Sequence, residues 1–342
     1  MCYNKRKVVI LRRENPAPIT EKDMKAKKLI PALALALGIT TLAGCSAGDQ
    51  KLAFQPYWNQ ASLVYQDVDE TIEYEATFEE ASGASSLGYA FSYDTGTYTT
   101  QLKSTTVDGK SAYEYTTSFE IKVHYEFGGK EKEFIDKTQS KVVFLSTESA
   151  LRPIESHVEI INHSPNNKAG STIESCYSEL KAKWDITYDT DGNGVCKITN
   201  LANNKSTSHD FERDEDLTFV DKEQLVVALR ALSTSVTSGK MQIYSPFHYD
   251  VQTLNFSFGD ATSQQFTYTL NGETIKKPVN YRAATVTIDA NNPGPSQTIW
   301  IASSAESQNN ANRNVMLRME NPYSYNMGKM VYTLKAITRV DQ

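Results

Sequence analysis

From about residue 64 onward the chain is patterned in twos. The clearest stretch is 113–127. Its odd positions read Tyr, Tyr, Thr, Phe, Ile, Val, Tyr, Phe, and its even positions Glu, Thr, Ser, Glu, Lys, His, Glu. Alternation sustained over that length predicts a half-buried strand with one apolar and one wet face. At about 3.3 Å per residue the strand would span ~50 Å, far beyond the usual five or six residues. A strand that long has to bend. The pattern therefore predicts a mainly β protein built from large curved antiparallel sheets, a partial barrel or a sandwich.

Gly128-Gly129 supplies a two-residue turn after this strand, and apolar positions resume at 134–135 and 142–145. Further strands are expected at 71–78, 88–94, 98–106, 157–161, 254–258, 266–270, 284–288, 298–302, 315–319 and 329–340. Asn271-Gly272 is a strong hairpin signal. One main helix is expected, at about 221–233 in the C-terminal half. Asp221 can cap it, Gln224 holds the reciprocal position, and Leu225, Leu229 and Leu232 share a face. The stretch 163–178, rich in Asn, Ser, Pro and Gly, reads as a linker between an N-terminal β half (64–162) and a C-terminal β half (179–342).

The N-terminal region follows a different rule. Met24-Lys25-Ala26-Lys27-Lys28 is a basic start, and 29–39 is almost wholly apolar. That run is too short to span a bilayer as a helix and fits a signal peptide over 24–44. It ends in Leu42-Ala43-Gly44-Cys45, which resembles the lipobox of bacterial lipoproteins at all four positions. The resemblance implies cleavage between Gly44 and Cys45 and a diacylglycerol on the Cys45 sulfur. Two acyl chains on one residue anchor stably where one does so marginally. The implied location is extracytoplasmic, held to a bacterial membrane, with 45–63 as a tether. Residues 1–23 are read as an upstream start or an extended basic region, with Met24 as the initiator.

Removing the 44 residues before Cys45 takes away nine Lys/Arg and three Asp/Glu, which moves the net charge from −6 to −12. An acidic body of this kind argues against nucleic acid and anionic lipid surfaces as partners. Two other cysteines then remain, Cys176 and Cys196. Outside the cytoplasm they can form a disulfide. If 184–188 pairs with 196–200, Cys196 lies opposite Tyr188 and Cys176 lies twelve residues back. That is ~40 Å of extended chain, whereas a disulfide needs Cα atoms within about 7 Å. A bridge would require 171–178 to fold back.

The segments 225–232 (Leu-Val-Val-Ala-Leu-Arg-Ala-Leu), 298–302 (Thr-Ile-Trp-Ile-Ala) and 328–334 (Gly-Lys-Met-Val-Tyr-Thr-Leu) resemble an uncharacterised family of secreted bacterial β-domains of unknown function. The resemblance covers about the last third of the chain. It implies a curved sheet around a helix, a shape thought to be related to lipoprotein carrier folds, and it supplies no activity.

Candidate chemistry is sparse. Asp189, Asp191 and Asn193, with Gly194 at the sixth position, match the first half of a calcium loop. Position twelve is Asn200, which cannot give the bidentate carboxylate, and the flanks are strand-like. A hairpin turn of Asp, Gly and Asn accounts for the same composition without metal. The five histidines have no zinc spacing, and no nucleophile-elbow or phosphate-binding glycine motif is present. No cofactor is indicated. Tyrosines in loops, in Tyr323-Ser324-Tyr325 and Phe247-His248-Tyr249, suit contacts to glycans or proteins, or are simply strand-favouring residues.

The expected role is a non-enzymatic module binding an apolar or extended ligand or an envelope protein, with a concave apolar cavity between sheet and helix. An envelope hydrolase would need two carboxylates, or Ser with His, converging in a groove. A structural or adhesive protein would have a filled core and exposed aromatics.

Overall fold

The computed structural model describes residues 52–55, 68–82, 84–147, 150–290, 295–303, 314–323 and 327–340. The signal peptide, Gly44 and Cys45 lie outside the described residues. Strand makes up 68% of the structure and there is a single helical segment of 10 residues, so the mainly β class holds.

The first nine strands are β1 (Asp69–Glu80), β2 (Ala90–Tyr93), β3 (Gly96–Val107), β4 (Lys110–Phe127), β5 (Lys130–Ser146), β6 (Leu151–Pro165), β7 (Tyr177–Tyr188), β8 (Gly194–Asn200) and β9 (Lys205–Phe211). A two-residue strand, β10 (Thr218–Phe219), precedes the helical segment. After it come β11 (Ser238–Ser245), β12 (Asp250–Phe258), β13 (Thr262–Leu270), β14 (Glu273–Ile288), β15 (Gln297–Ala302), β16 (Met316–Pro322) and β17 (Gly328–Arg339).

Five strands close on themselves. β13, β14, β15, β16 and β17 pair in succession, and a short parallel contact of Leu270 with Ile337 returns β17 to β13. From β17 the sheet continues through β1, β3, β4, β5, β6, β7 and β8 to β9, all antiparallel. From β14 a shorter wing runs through β12 and β11 to β10. Register slips at Glu73/Tyr74 and Val143/Phe144 mark bulges in the long wing. Bulges add local bend and twist, which is how strands of this length stay folded onto a core.

β4 shows the alternation that its sequence carries: Tyr113, Tyr115, Ile121, Val123 and Tyr125 are buried, while Ser118, Glu120, Lys122 and Glu126 are exposed. Gly128 (φ 60°) and Gly129 (φ 74°) make the turn to β5, and Asn271 (φ 48°) and Gly272 (φ 87°) make the turn from β13 to β14. Two successive positive φ values give the turn whose twist matches that of the paired strands.

The helix begins as the sequence specifies. The Asp221 carboxylate accepts from the Glu223 amide at 2.8 Å, and the Gln224 side chain accepts from the Asp221 amide at 3.1 Å. One 3₁₀ turn (Lys222–Gln224) leads into α1 (Leu225–Ala231). Val227, Ala228, Leu229 and Ala231 are buried within the main core, which gathers side chains from both wings and from the closed ring.

Segment 163–178 joins two paired strands. His163–Pro165 end β6, residues Ile173–Ser175 make a 3₁₀ turn, and Tyr177 starts β7 opposite Pro165. Residues on both sides of it belong to one compact unit.

Candidate functional site

The inner face of the long wing meets the helix start across a narrow cleft. One wall is Tyr98 on β3, Thr117 and Phe119 on β4, Thr138 on β5, Val158 and Ile160 on β6, and Trp184 on β7. The facing wall is Lys222 and Glu223 on the 3₁₀ turn, Leu225 and Val226 on α1, and Phe247. Met319 and Tyr332 close it from the ring side. The binding-module reading called for an apolar concavity between sheet and helix; the cleft lies there, with Lys222 and Glu223 among its otherwise largely apolar walls. Its volume, about 120 Å³, is well under the ~300 Å³ at which pockets begin to hold whole small molecules. The cleft has room for a side chain but not for a lipid.

Aromatic rings set its shape. The Trp184 and Phe247 rings meet edge to face at 5.2 Å, and Tyr332 packs on Tyr98 at 5.2 Å and on Phe119 at 5.8 Å. The Lys222 ammonium lies 5.1 Å from the Phe247 ring centre and 6.0 Å from that of Trp184, within cation–π range. Glu223 differs from its neighbours. Its amide is held by Asp221, but no described side chain bonds or ion-pairs with its carboxyl group. Burial raises its pKa above the ordinary glutamate value, against the opposing pull of Lys222. Behind it Asp221 is buried, and the Tyr188 hydroxyl donates to it at 2.5 Å. Burial is also what raises the Asp221 pKa.

A larger groove of about 530 Å³ crosses the opposite face of the same wing. The strand register makes it two parallel ladders. Gln101, Thr116, Lys141, His157 and Asp185 form one, and Thr99, Ser118, Gln139, Glu159 and Lys183 the other. Most of its charges are paired, Glu159 being exposed to solvent. His157 Nδ1 lies 2.8 Å from Asp185, Lys183 lies 3.4 Å from Asp185, and Lys141 lies 3.5 Å from Glu155. Both ring nitrogens of His157 face carboxylates, the second being Glu155 at 3.8 Å, so neither is aimed at a nucleophile. The Ser245 hydroxyl does lie 2.9 Å from His248 Nδ1, but Ser245 is fully buried and out of reach of a substrate.

Two buried polar centres carry no signal in local sequence. Glu70 accepts from Arg230 at 2.8 Å and from Arg339 at 2.5 and 2.9 Å, joining β1, α1 and β17. Burial works to raise the Glu70 pKa, but the two guanidiniums outweigh it and hold the carboxyl below its ordinary value. His163 sits between Asp136 at 2.8 Å and Glu179 at 3.1 Å and stacks on Phe134 at 4.0 Å.

The residues singled out from sequence lie elsewhere. Cys176 and Cys196 are both free and buried, and they belong to separate apolar clusters. A bridge between them is not formed, and the register says why. Cys196 pairs with Ile186, two residues from the position expected, and Cys176 precedes the first residue of β7. Ten residues of strand separate the two levels, ~33 Å. Asp189, Asp191 and Asn193 make the turn between β7 and β8. The Asp189 carboxylate accepts from the Asp191 amide at 2.8 Å, the Asn193 amide at 3.0 Å and the Asn193 side chain at 3.3 Å. A carboxylate occupied in this way shapes the loop. Among the described residues no group of three or more His, Cys, Asp or Glu could hold a metal ion. Of the loop tyrosines, Tyr323 is buried against Phe78 and Tyr93, while Tyr249 is exposed and stacks on His209. No family model matches the chain, and neither the curated proteins nor the solved structures give a match.

Proposed function

We propose that the chain is an extracytoplasmic lipoprotein, anchored to a bacterial membrane through acylated Cys45, that acts as a non-enzymatic binding module. Its aromatic cleft takes one apolar group of an extended partner. The observation that carries this reading is the cleft, walled by Tyr98, Phe119, Trp184, Phe247 and Tyr332 and open to solvent. Fully packed interiors do not leave rings lining a gap, and apolar clefts with a few placed polar groups are where ligands bind. In the groove of the polar face His157 is held between two carboxylates, and the Ser245 of the Ser245–His248 contact is buried, so neither place offers a hydrolase a free nucleophile beside a base.

Two measurements test it. Mass analysis of the mature chain should find an N-terminal Cys45 carrying diacylglycerol; an unmodified Cys45 or retained residues 24–44 would refute the anchor. NMR titration with N-acetylphenylalanine amide should shift the Trp184 indole signal, and Val226→Trp, which fills the cleft, should abolish the shift. Shifts scattered over the whole molecule, or none, would refute the cleft as the site.

A further inference from the structure

We propose that the cleft selects a polypeptide segment of a partner protein in which an apolar side chain sits next to a cationic one, with the Glu223 carboxylate receiving the cation. The inference rests on the cleft being the binding site. Glu223 lines the cleft beside Leu225 and Val226, yet no described side chain pairs with it. Lys222, the cation next to it in the chain, is held over the Phe247 and Trp184 rings, from where its charge draws on the Glu223 carboxylate. The three buried carboxylates among the described residues have counter-charges or hydrogen-bond donors. Glu70 has two arginines, Asp136 has His163 and Asn162, and Asp221 has Tyr188 and the Glu223 amide. Glu223 alone among these four faces an opening. A desolvated carboxylate beside an apolar slot is left for a ligand cation to neutralise, and the pairing is strong because little water competes there.

Three features point to a polypeptide as the occupant. The slot holds one side chain, as its volume shows. The acidic balance of the chain, −6 overall, favours basic partners. Lys222 stands on the wall opposite Trp184, so an anionic ligand would not need Glu223 at all; a carboxylate kept in the cleft discriminates against anions.

The test uses three capped probes titrated into the purified full-length chain: acetyl-Phe-Lys-amide, acetyl-Phe-Gln-amide and acetyl-Phe-Glu-amide. The lysine probe should bind about tenfold tighter than the glutamine probe, the scale of one charge-assisted hydrogen bond, and the glutamate probe should bind weakest. In Glu223→Gln the preference for lysine over glutamine should fall to about one. Equal binding of the lysine and glutamine probes to the unaltered chain overturns the charge inference and leaves the cleft intact as a site. A preference that persists in Glu223→Gln also overturns it. Failure of all three probes to shift the Trp184 indole refutes the cleft itself. Thermal melting of Glu223→Gln checks that the variant is folded; because the group is already short of partners, its melting temperature should not fall.

Discussion

Replacing Glu70 by alanine should be among the most damaging single changes in the molecule. The side chain is buried, as is that of Arg230, and three short hydrogen bonds tie it to Arg230 and Arg339. Removal leaves the Arg230 guanidinium enclosed without its carboxylate, while the Asn314 carbonyl at 2.9 Å still accepts from it. Breaking a buried pair on one side costs about 3–5 kcal/mol, because the survivor stays charged and dry. Against the ~5–15 kcal/mol that holds a domain together, that is a large fraction. With a urea slope of ~3 kcal/mol per molar, the midpoint should fall by about 1–1.7 M. The sign with pH follows from the lowered Glu70 pKa. Its contribution is full above the ordinary unfolded value near 4.5 and is lost as pH falls through the lower folded value. Glu70→Gln should therefore flatten the acid limb of the stability curve as well as lower the midpoint. The pair Glu70→Leu with Arg230→Met removes the two most deeply buried of the three charges, leaves Arg339 at the more exposed edge, and should recover part of the loss. A cost below 1 kcal/mol for Glu70→Ala, or an unchanged acid limb in Glu70→Gln, would refute the picture of a dry centre held together by charge.

Other outcomes follow from the same physics. His163→Leu takes one donor from the buried Asp136 carboxylate and leaves it the Asn162 side chain and the residue-163 amide, so it should cost about 1–3 kcal/mol in urea titration, whereas the exposed pair partner Lys137 should cost under 1 kcal/mol on truncation. Gly96→Ala places a Cβ 2.6 Å from the Glu120 carbonyl and 2.8 Å from the Ile121 Cβ, so β3 must shift off β4. It should destabilise by more than Gly272→Ala, which meets no atom but strains a φ of +87° by ~1–2 kcal/mol. Burial pushes the Cys196 thiol up to about 12 and raises Cys176 as well. Both should stay unlabelled by a thiol reagent in native buffer and react on unfolding; a stoichiometric disulfide by mass would contradict the structure.

What the sequence could show was local. Gly128-Gly129 and Asn271-Gly272 were readable because a tight turn needs positive φ at those two residues and nowhere else. The helix start was readable because Asp221 and Gln224 bond across three residues. β9 escaped because it is a largely exposed edge strand, Lys-Ser-Thr-Ser-His-Asp-Phe, with no apolar face to alternate. β11 escaped for the opposite reason: from Met241 to Ser245 every side chain is buried, so the period of two disappears. β5 reads as two pieces because polar residues fill its middle, where Asp136 turns inward to His163. Glu70 and Arg339 are 269 residues apart in the chain, a separation at which no pattern signals a pair. Glu223 is a carboxylate in a first helical turn, where a favourable dipole is the ordinary explanation. Its place in the cleft, with no described side chain hydrogen-bonded to its carboxyl group, sets it apart.

The position of Glu223 depends on residues that never touch the cleft. A side chain on a free 3₁₀ turn would move away from apolar walls toward water, since desolvation without a counter-charge is unfavourable. Here the turn is clamped. Asp221 holds the Glu223 amide on one side and receives the Tyr188 hydroxyl of β7 on the other, so the turn is tied to the strand that carries Trp184. At the far end of the helix, Arg230 is tied through Glu70 to β1 and β17, the strand that carries Tyr332. The helix is thus held at both ends to the strands that form the walls of the cleft. Loosening either tie should blur the site before the fold is lost. Tyr188→Phe removes one hydroxyl from Asp221 and no apolar contact from the core, at a cost of about 1–2 kcal/mol. Its melting temperature should fall modestly, while its preference for acetyl-Phe-Lys-amide over acetyl-Phe-Gln-amide should fall more than its affinity for the phenylalanine ring. Equal losses in both would mean that Tyr188 supports the fold in general and has no separate part in aiming Glu223.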